Sequence, residues 1–199
     1  LLRKYQVPAT VFLPTGFIDS DAVFWTDRLA FTLRDIERFS RVSAGSLRID
    51  DPLGNKILGG QAGLAKRIDY SINLLKEQDS KRIEKVLHEL ADLASGIPNS
   101  KRKFLTWDQV RELQASGLVN FGSHTVRHMI LTHMSCADVQ VELEESKHKL
   151  IQEGAVQSEA IPFCYPNGNY SQTIQSLLQE AGYSSACTTE YGINKPESN

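Results

Sequence analysis

The chain has 199 residues, enough for one domain with a substantial core. Apolar residues make up 41%, charged residues 23%, and Gly and Pro number only 13 and 7, which excludes a disordered or low-complexity protein. A formal net charge of −2 offers no basic field for a nucleic-acid backbone, and no apolar run approaches the roughly 20 residues that span a bilayer, so neither nucleic acid nor a membrane-spanning segment is expected.

Leu1 to Tyr5 reads as the last turn of a helix, followed by a strand from Ala9 to Leu13, so the sequence starts as a piece cut from a longer protein would. Pro14-Thr15-Gly16 turns the chain. Ser20 or Asp21 then opens a helix whose apolar positions Phe24, Trp25, Leu29, Leu33 and Ile36 recur near the helical period. Between about 41 and 63 the pattern fails, and Gly45, the run Asp50 to Asn55 and Gly59-Gly60 mark an insertion-like region with room for a short hairpin around Ser46 to Asp50. Two helices follow, about Leu64 to Gln78 and a second capped by Ser80 and closed by Gly96. The basic run Lys101 to Lys103 reads as a solvated loop.

The second half alternates strands and helices. Thr106 and Gln109 form a capping box ahead of a helix carrying Val110 and Leu113, and Gly117 ends it. Leu118 to Gly122 is a strand, Ser135 caps a long helix through Val139, Leu143 and Leu150, and Ala160 to Tyr165 is the next strand. Ser171 to Ala181 is a helix, Tyr183 to Thr188 a last strand, and Gly192 to Asn199 a frayed end. Strands separated by helices imply parallel βα units, in an open sheet or a barrel.

Ligands gather at the carboxyl ends of such strands. There, Ser123-His124-Thr125-Val126-Arg127-His128 places two imidazoles four residues apart, able to face one side and to ligate zinc, cobalt or nickel. The plainer alternative is that His124 satisfies a loop carbonyl and His128 opens the next helix. Two histidines need a third ligand, most naturally a carboxylate; Asp19 and Asp21 are the local candidates, and His133 reads as exposed. The other notable strand end is Phe163 to Tyr170, where Tyr165 or Tyr170 could stack on a sugar ring and the turn amides could face a site. Cys136, Cys164 and Cys187 form no CxxC site, and Cys164 has no paired base to make it a nucleophile.

The order of Tyr5 to Phe12, Leu105 to Asp108, Phe121 to His128, Leu131-Thr132, Phe163 to Gly168, Ala181 to Tyr183 and Ala186 to Thr189 resembles the polysaccharide deacetylases of the NodB-homology type, metal-dependent carbohydrate esterases. The resemblance spans nearly the whole chain and leaves about 20 to 100 as family-variable. It implies an α/β fold, an irregular (β/α) barrel lacking its first and last strands here, in a single partial domain over residues 1–199. It also implies that His124 and His128 ligate a divalent metal, zinc first, with Thr125 supporting the loop. The Arg-x-Pro-Tyr-Gly motif of the family falls on Cys164-Tyr165-Pro166-Asn167-Gly168: Cys164 stands where an orienting Arg is common, and Asn167 replaces a Tyr whose backbone N–H is an oxyanion donor.

The family's Asp pair, which supplies the general base and the third ligand, would lie upstream of Leu1, and its late general-acid His beyond Asn199. Residues 1–199 alone are therefore expected to be inactive. The intact protein is expected to remove acetyl groups from a glycan or polysaccharide, in the cell envelope or outside the cell. One alternative is a non-catalytic carbohydrate-binding module derived from such an enzyme, which the Cys164 replacement favours; another is an unrelated metal-assisted hydrolase.

Overall fold

The computed structural model describes residues 1–39, 46–60, 63–94, 104–156 and 160–192. The chain forms two compact units, one of residues 1–20 and 104–199 and the other of residues 21–103. The boundary of the second lies close to the stretch that the resemblance leaves variable.

The first unit begins with a one-turn helix, α1 (Leu2–Tyr5), and strand β1 (Ala9–Leu13). After the second unit come α6 (Trp107–Ala115), β2 (Val119–Ser123), α7 (Cys136–Gln152), β3 (Pro162–Cys164), α8 (Gln172–Glu180) and β4 (Ser185–Cys187). The four strands make one sheet in the order β1-β2-β3-β4, every pairing parallel. Thus the expected parallel strands lie side by side, ending one residue from where the sequence placed them or closer.

Local chemistry accounts for the helix starts. Thr106 accepts from the N–H of Gln109 while the Gln109 side chain accepts from the N–H of Thr106, completing the capping box. Ser135 and Ser171 cap α7 and α8 through the N–H groups of Asp138 and Ile174. The helices bury one stripe each against the sheet, with Val110, Val139, Leu143, Leu150, Ile174 and Leu178 joining Val119, Phe121, Ile161 and Phe163 in a single cluster. Leu113 on α6 is exposed.

Strands β2 and β3 approach closely at Gly122. A Cβ there would meet the carbonyl oxygen of Pro162 at 2.6 Å and the Phe12 ring at 2.7 Å, so only glycine fits.

The second unit holds α2 (Trp25–Phe39), α3 (Pro52–Leu58), α4 (Leu64–Lys76) and α5 (Ser80–Leu93). Helix α3 stands in place of the turn expected at 51–55, and residues 46–50, where a short hairpin was expected, form no strand. Asp51, 2% exposed, accepts from the N–H of Leu53 and pairs with Arg82, and Pro52 occupies the first helical turn where its missing N–H costs nothing. Asp79, rather than Ser80, caps α5 through the N–H of Arg82. Gly96, the Lys101 to Lys103 run and the tail from 193 lie outside the described residues.

Candidate metal centre at the strand ends

The His124 to His128 loop leaves β2 and is held from three sides. The N–H of His124 donates to the Leu13 carbonyl, and the N–H groups of Thr15 and Gly16 donate to the carbonyls of Thr125 and Val126 at 3.0 Å each, tying the loop to the turn after β1. Gly16 permits this approach, since a Cβ there would meet the Val126 oxygen at 2.8 Å. From the other side, Glu142 on α7 accepts the N–H groups of Val126 and Arg127 at 2.8 and 2.9 Å and pairs with the Arg127 guanidinium. Its side chain is 1% exposed.

This clamping holds two residues in a conformation they would otherwise avoid. Thr125 has φ 67° and His128 φ 58°, in the left-handed region that a β-branched residue in particular resists. Thr125 is fully buried, and its hydroxyl accepts the N–H of His128 at 3.0 Å. The outcome is that the rings of His124 and His128 lie edge to face with centroids 4.7 Å apart.

Both imidazoles are held toward the neutral form. Nδ1 of His124 lies 2.6 Å from the carbonyl of Cys164; because a carbonyl only accepts, Nδ1 carries the proton and Nε2 keeps its lone pair. A histidine that satisfies a carbonyl is thus no rival to a metal ligand, since metal-bound histidines ordinarily anchor their other nitrogen in this way. Burial lowers the pKa of His124, with the bond to Cys164 opposing. That of His128 is pushed down to about 4 by burial first and by neighbouring His124 second, against a hydrogen bond to its own backbone. His128 does not open a helix, for α7 starts only at Cys136.

The sign of that shift gives a measurable consequence. Below pH 6.5 the unfolded chain protonates His128 while the native state does not, so stability is full above pH 6.5 and falls as the pH drops toward about 4. The loss attributable to this residue is on the order of 3 kcal/mol. Urea unfolding across that range should show a shallower pH slope in His128→Asn, a residue that tolerates the positive φ; an unchanged slope would contradict the assignment.

Other expected contributors fall in different places. The Asp19 carboxylate accepts the N–H of Trp107 at 2.9 Å, serving the start of α6, and Asp21 belongs to the other unit. Among the described residues no group of three or more His, Cys, Asp or Glu is placed to hold a metal ion. His133 ends a 3-10 turn (Leu131–His133) and is partly buried.

Tyr165 is 2% exposed and packs edge to face on Phe163, so its ring belongs to the core and leaves no face for a sugar. Tyr170 is 38% exposed, and its hydroxyl donates to Glu190 at 3.0 Å. Together with Asn167, Gly168, Asn169 and Thr189 these residues line an open pocket of about 300 Å³. Asn167 itself has φ 58° in the turn Pro166–Gly168 that follows β3.

A polar network that the sequence reading missed lies beneath the loop. The Tyr183 hydroxyl donates its one proton to the Leu143 carbonyl at 2.8 Å and lies 3.0 Å from the Ser123 hydroxyl, which is 2.7 Å from that of Ser146. Burial pushes the Tyr183 phenol up to about 12, so it remains a donor. The signal for Glu142 and Ser146 was present as polar residues on the inward stripe of α7, between Val139 and Leu150.

The polysaccharide deacetylase family profile matches residues 59–186, more than half of the chain, and takes in both histidines and the Cys164 to Gly168 turn. The chain belongs to the polysaccharide deacetylase family. Its parallel α/β fold is the one characteristic of that family. Among solved structures, a Streptococcus pyogenes deacetylase, PplD, in complex with acetate matches at 19% identity and a TM-score of 0.41, over 94% of this chain and 84% of that one. No curated protein matches significantly.

Proposed function

We propose that this family member is a metal-dependent deacetylase that hydrolyses N-acetyl groups on a glycan or polysaccharide, with His124 and His128 as two ligands of a divalent cation. The observation that carries the reading is the pair itself: two neutral imidazoles with centroids 4.7 Å apart, one with Nδ1 anchored on Cys164 so that Nε2 is the ligating atom. Nitrogen donors of this kind suit zinc, with cobalt or nickel next. A cation bound there would supply a Lewis acid for the acetyl carbonyl and make bound water more acidic.

The chain's own residues would do the rest of the positioning. Thr125 and Glu142 hold the histidine loop in its strained form, removing the need to reorganise it on binding. The backbone N–H of Asn167 would donate to the oxyanion of the tetrahedral intermediate, and Tyr170 would offer its exposed ring to a sugar beside the 300 Å³ pocket. Base and acid are assigned to no residue of 1–199. A glycan substrate of this kind would place the protein in the cell envelope or outside the cell.

Acetate release from N-acetylated and O-acetylated oligosaccharides, measured on the complete open reading frame that contains these residues, tests the reading. Release that stops on chelation and returns with zinc is expected; no release from any acetylated glycan would favour the carbohydrate-binding alternative.

The oxyanion role has its own test. Proline, with φ fixed near −65°, cannot take the φ of 58° at Asn167, so the informative pair is Asn167→Gly and Asn167→Ala. Both keep the N–H and should retain activity within a few-fold, while the alanine variant should lose roughly 1–2 kcal/mol of stability from the left-handed backbone. A 10²-fold loss of rate in the glycine variant would show that the Asn167 side chain takes part.

A further inference from the structure

Strands β3 and β4 pair in parallel with Cys164 opposite Cys187 in register. Neighbouring strands run about 4.8 Å apart, inside the roughly 4.4–6.8 Å between Cα atoms that a disulfide requires. Residues alternate across a strand, and Cys164 lies between Phe163 and Tyr165, both buried in the helix-covered core. The thiol of Cys164 therefore projects from the other face of the sheet, and its register partner Cys187 projects from that same face. Cys187 is exposed and Cys164 half-buried, both as free thiols.

We propose that Cys164 and Cys187 form a redox-modification site, a cross-strand thiol pair that closes to a disulfide by exchange with a small disulfide of the glutathione type. In the first step the Cys187 thiolate attacks the small disulfide, breaking its S–S bond and expelling one thiolate, which takes up the proton Cys187 gave. Cys164, deprotonated in turn, attacks the Cys187 sulfur and expels the second thiolate, which takes that proton. Two protein thiols are oxidised and one small disulfide is reduced to two thiols. The bond fastens β4, whose three residues are all exposed, to β3, whose Cys164 carbonyl accepts the Nδ1–H hydrogen bond of His124. The inference is independent of the metal assignment.

Cys136, exposed at the start of α7, is the internal control. Protein incubated with oxidised glutathione, blocked with iodoacetamide and digested without reduction should yield a linked peptide holding Cys164 and Cys187, while Cys136 carries glutathione or the block. Amide exchange in β4 should slow by about 10-fold or more on oxidation. In Cys164→Ser, and separately in Cys187→Ser, the link should vanish, and in the former Cys187 should retain glutathione as a mixed disulfide. Wild-type protein in which both cysteines carry glutathione or the block, or in which either links to Cys136, would overturn the proposal.

Discussion

Replacing His124 or His128 with alanine should lower zinc affinity by at least about 10²-fold in calorimetric titration, the scale expected when a ligand is lost from a site that has few. The two variants should fail for one reason but differ in stability. His128 lies in a strained backbone position, and alanine at φ 58° has no side chain to compensate, so His128→Ala should also unfold at lower urea. His124→Ala leaves the Cys164 carbonyl without its imidazole donor, yet water can replace that partner at a half-exposed site. Unchanged affinity in both variants would remove the metal assignment.

Glu142→Ala should be the most damaging change away from the imidazoles. The carboxylate is nearly inaccessible and accepts from two backbone N–H groups and one guanidinium; its removal leaves both backbone donors without an acceptor, while the exposed guanidinium turns to water. Leaving a part-buried donor without its acceptor typically costs about 1–3 kcal/mol, and here two are left. Glu142→Gln separates the contributions. Both backbone bonds go to Oε2, which an amide oxygen can replace, so glutamine sacrifices only the pairing with Arg127, whose side chain is 62% exposed. That loss should be nearer 1 kcal/mol. In metal titrations the alanine variant should bind more weakly than the glutamine variant although neither residue would touch the cation, because the loop no longer holds Thr125 and His128 at positive φ. Equal stability and equal metal affinity in the two variants would contradict this account of the clamp.

What could be read without the fold was chemistry confined to a few neighbouring residues. The capping box at Thr106, the serines ahead of α7 and α8, and the His124–His128 spacing are all complete within five residues. Asp51-Pro52 misled because the same pair begins a turn or occupies the cap and first position of a helix, and burial of Asp51 against Arg82 decides for the helix. Tyr165 misled because β3 has only three residues, too few for alternation to tell which side faces the core. The clamp was illegible for a different reason: Glu142 and Val126 are 16 residues apart, and only the packing of α7 against β2 brings them together. The same holds for the anchoring of His124 on Cys164, 40 residues away, which turns a sequence spacing into a tautomer.

X-ray absorption at the cobalt edge, on protein loaded with one equivalent of Co²⁺, interrogates the proposed centre most directly. The account predicts outer-shell scattering from two imidazoles in the wild type, reduced to one in His124→Ala and in His128→Ala. A spectrum with no imidazole contribution, or one that neither substitution alters, would contradict it.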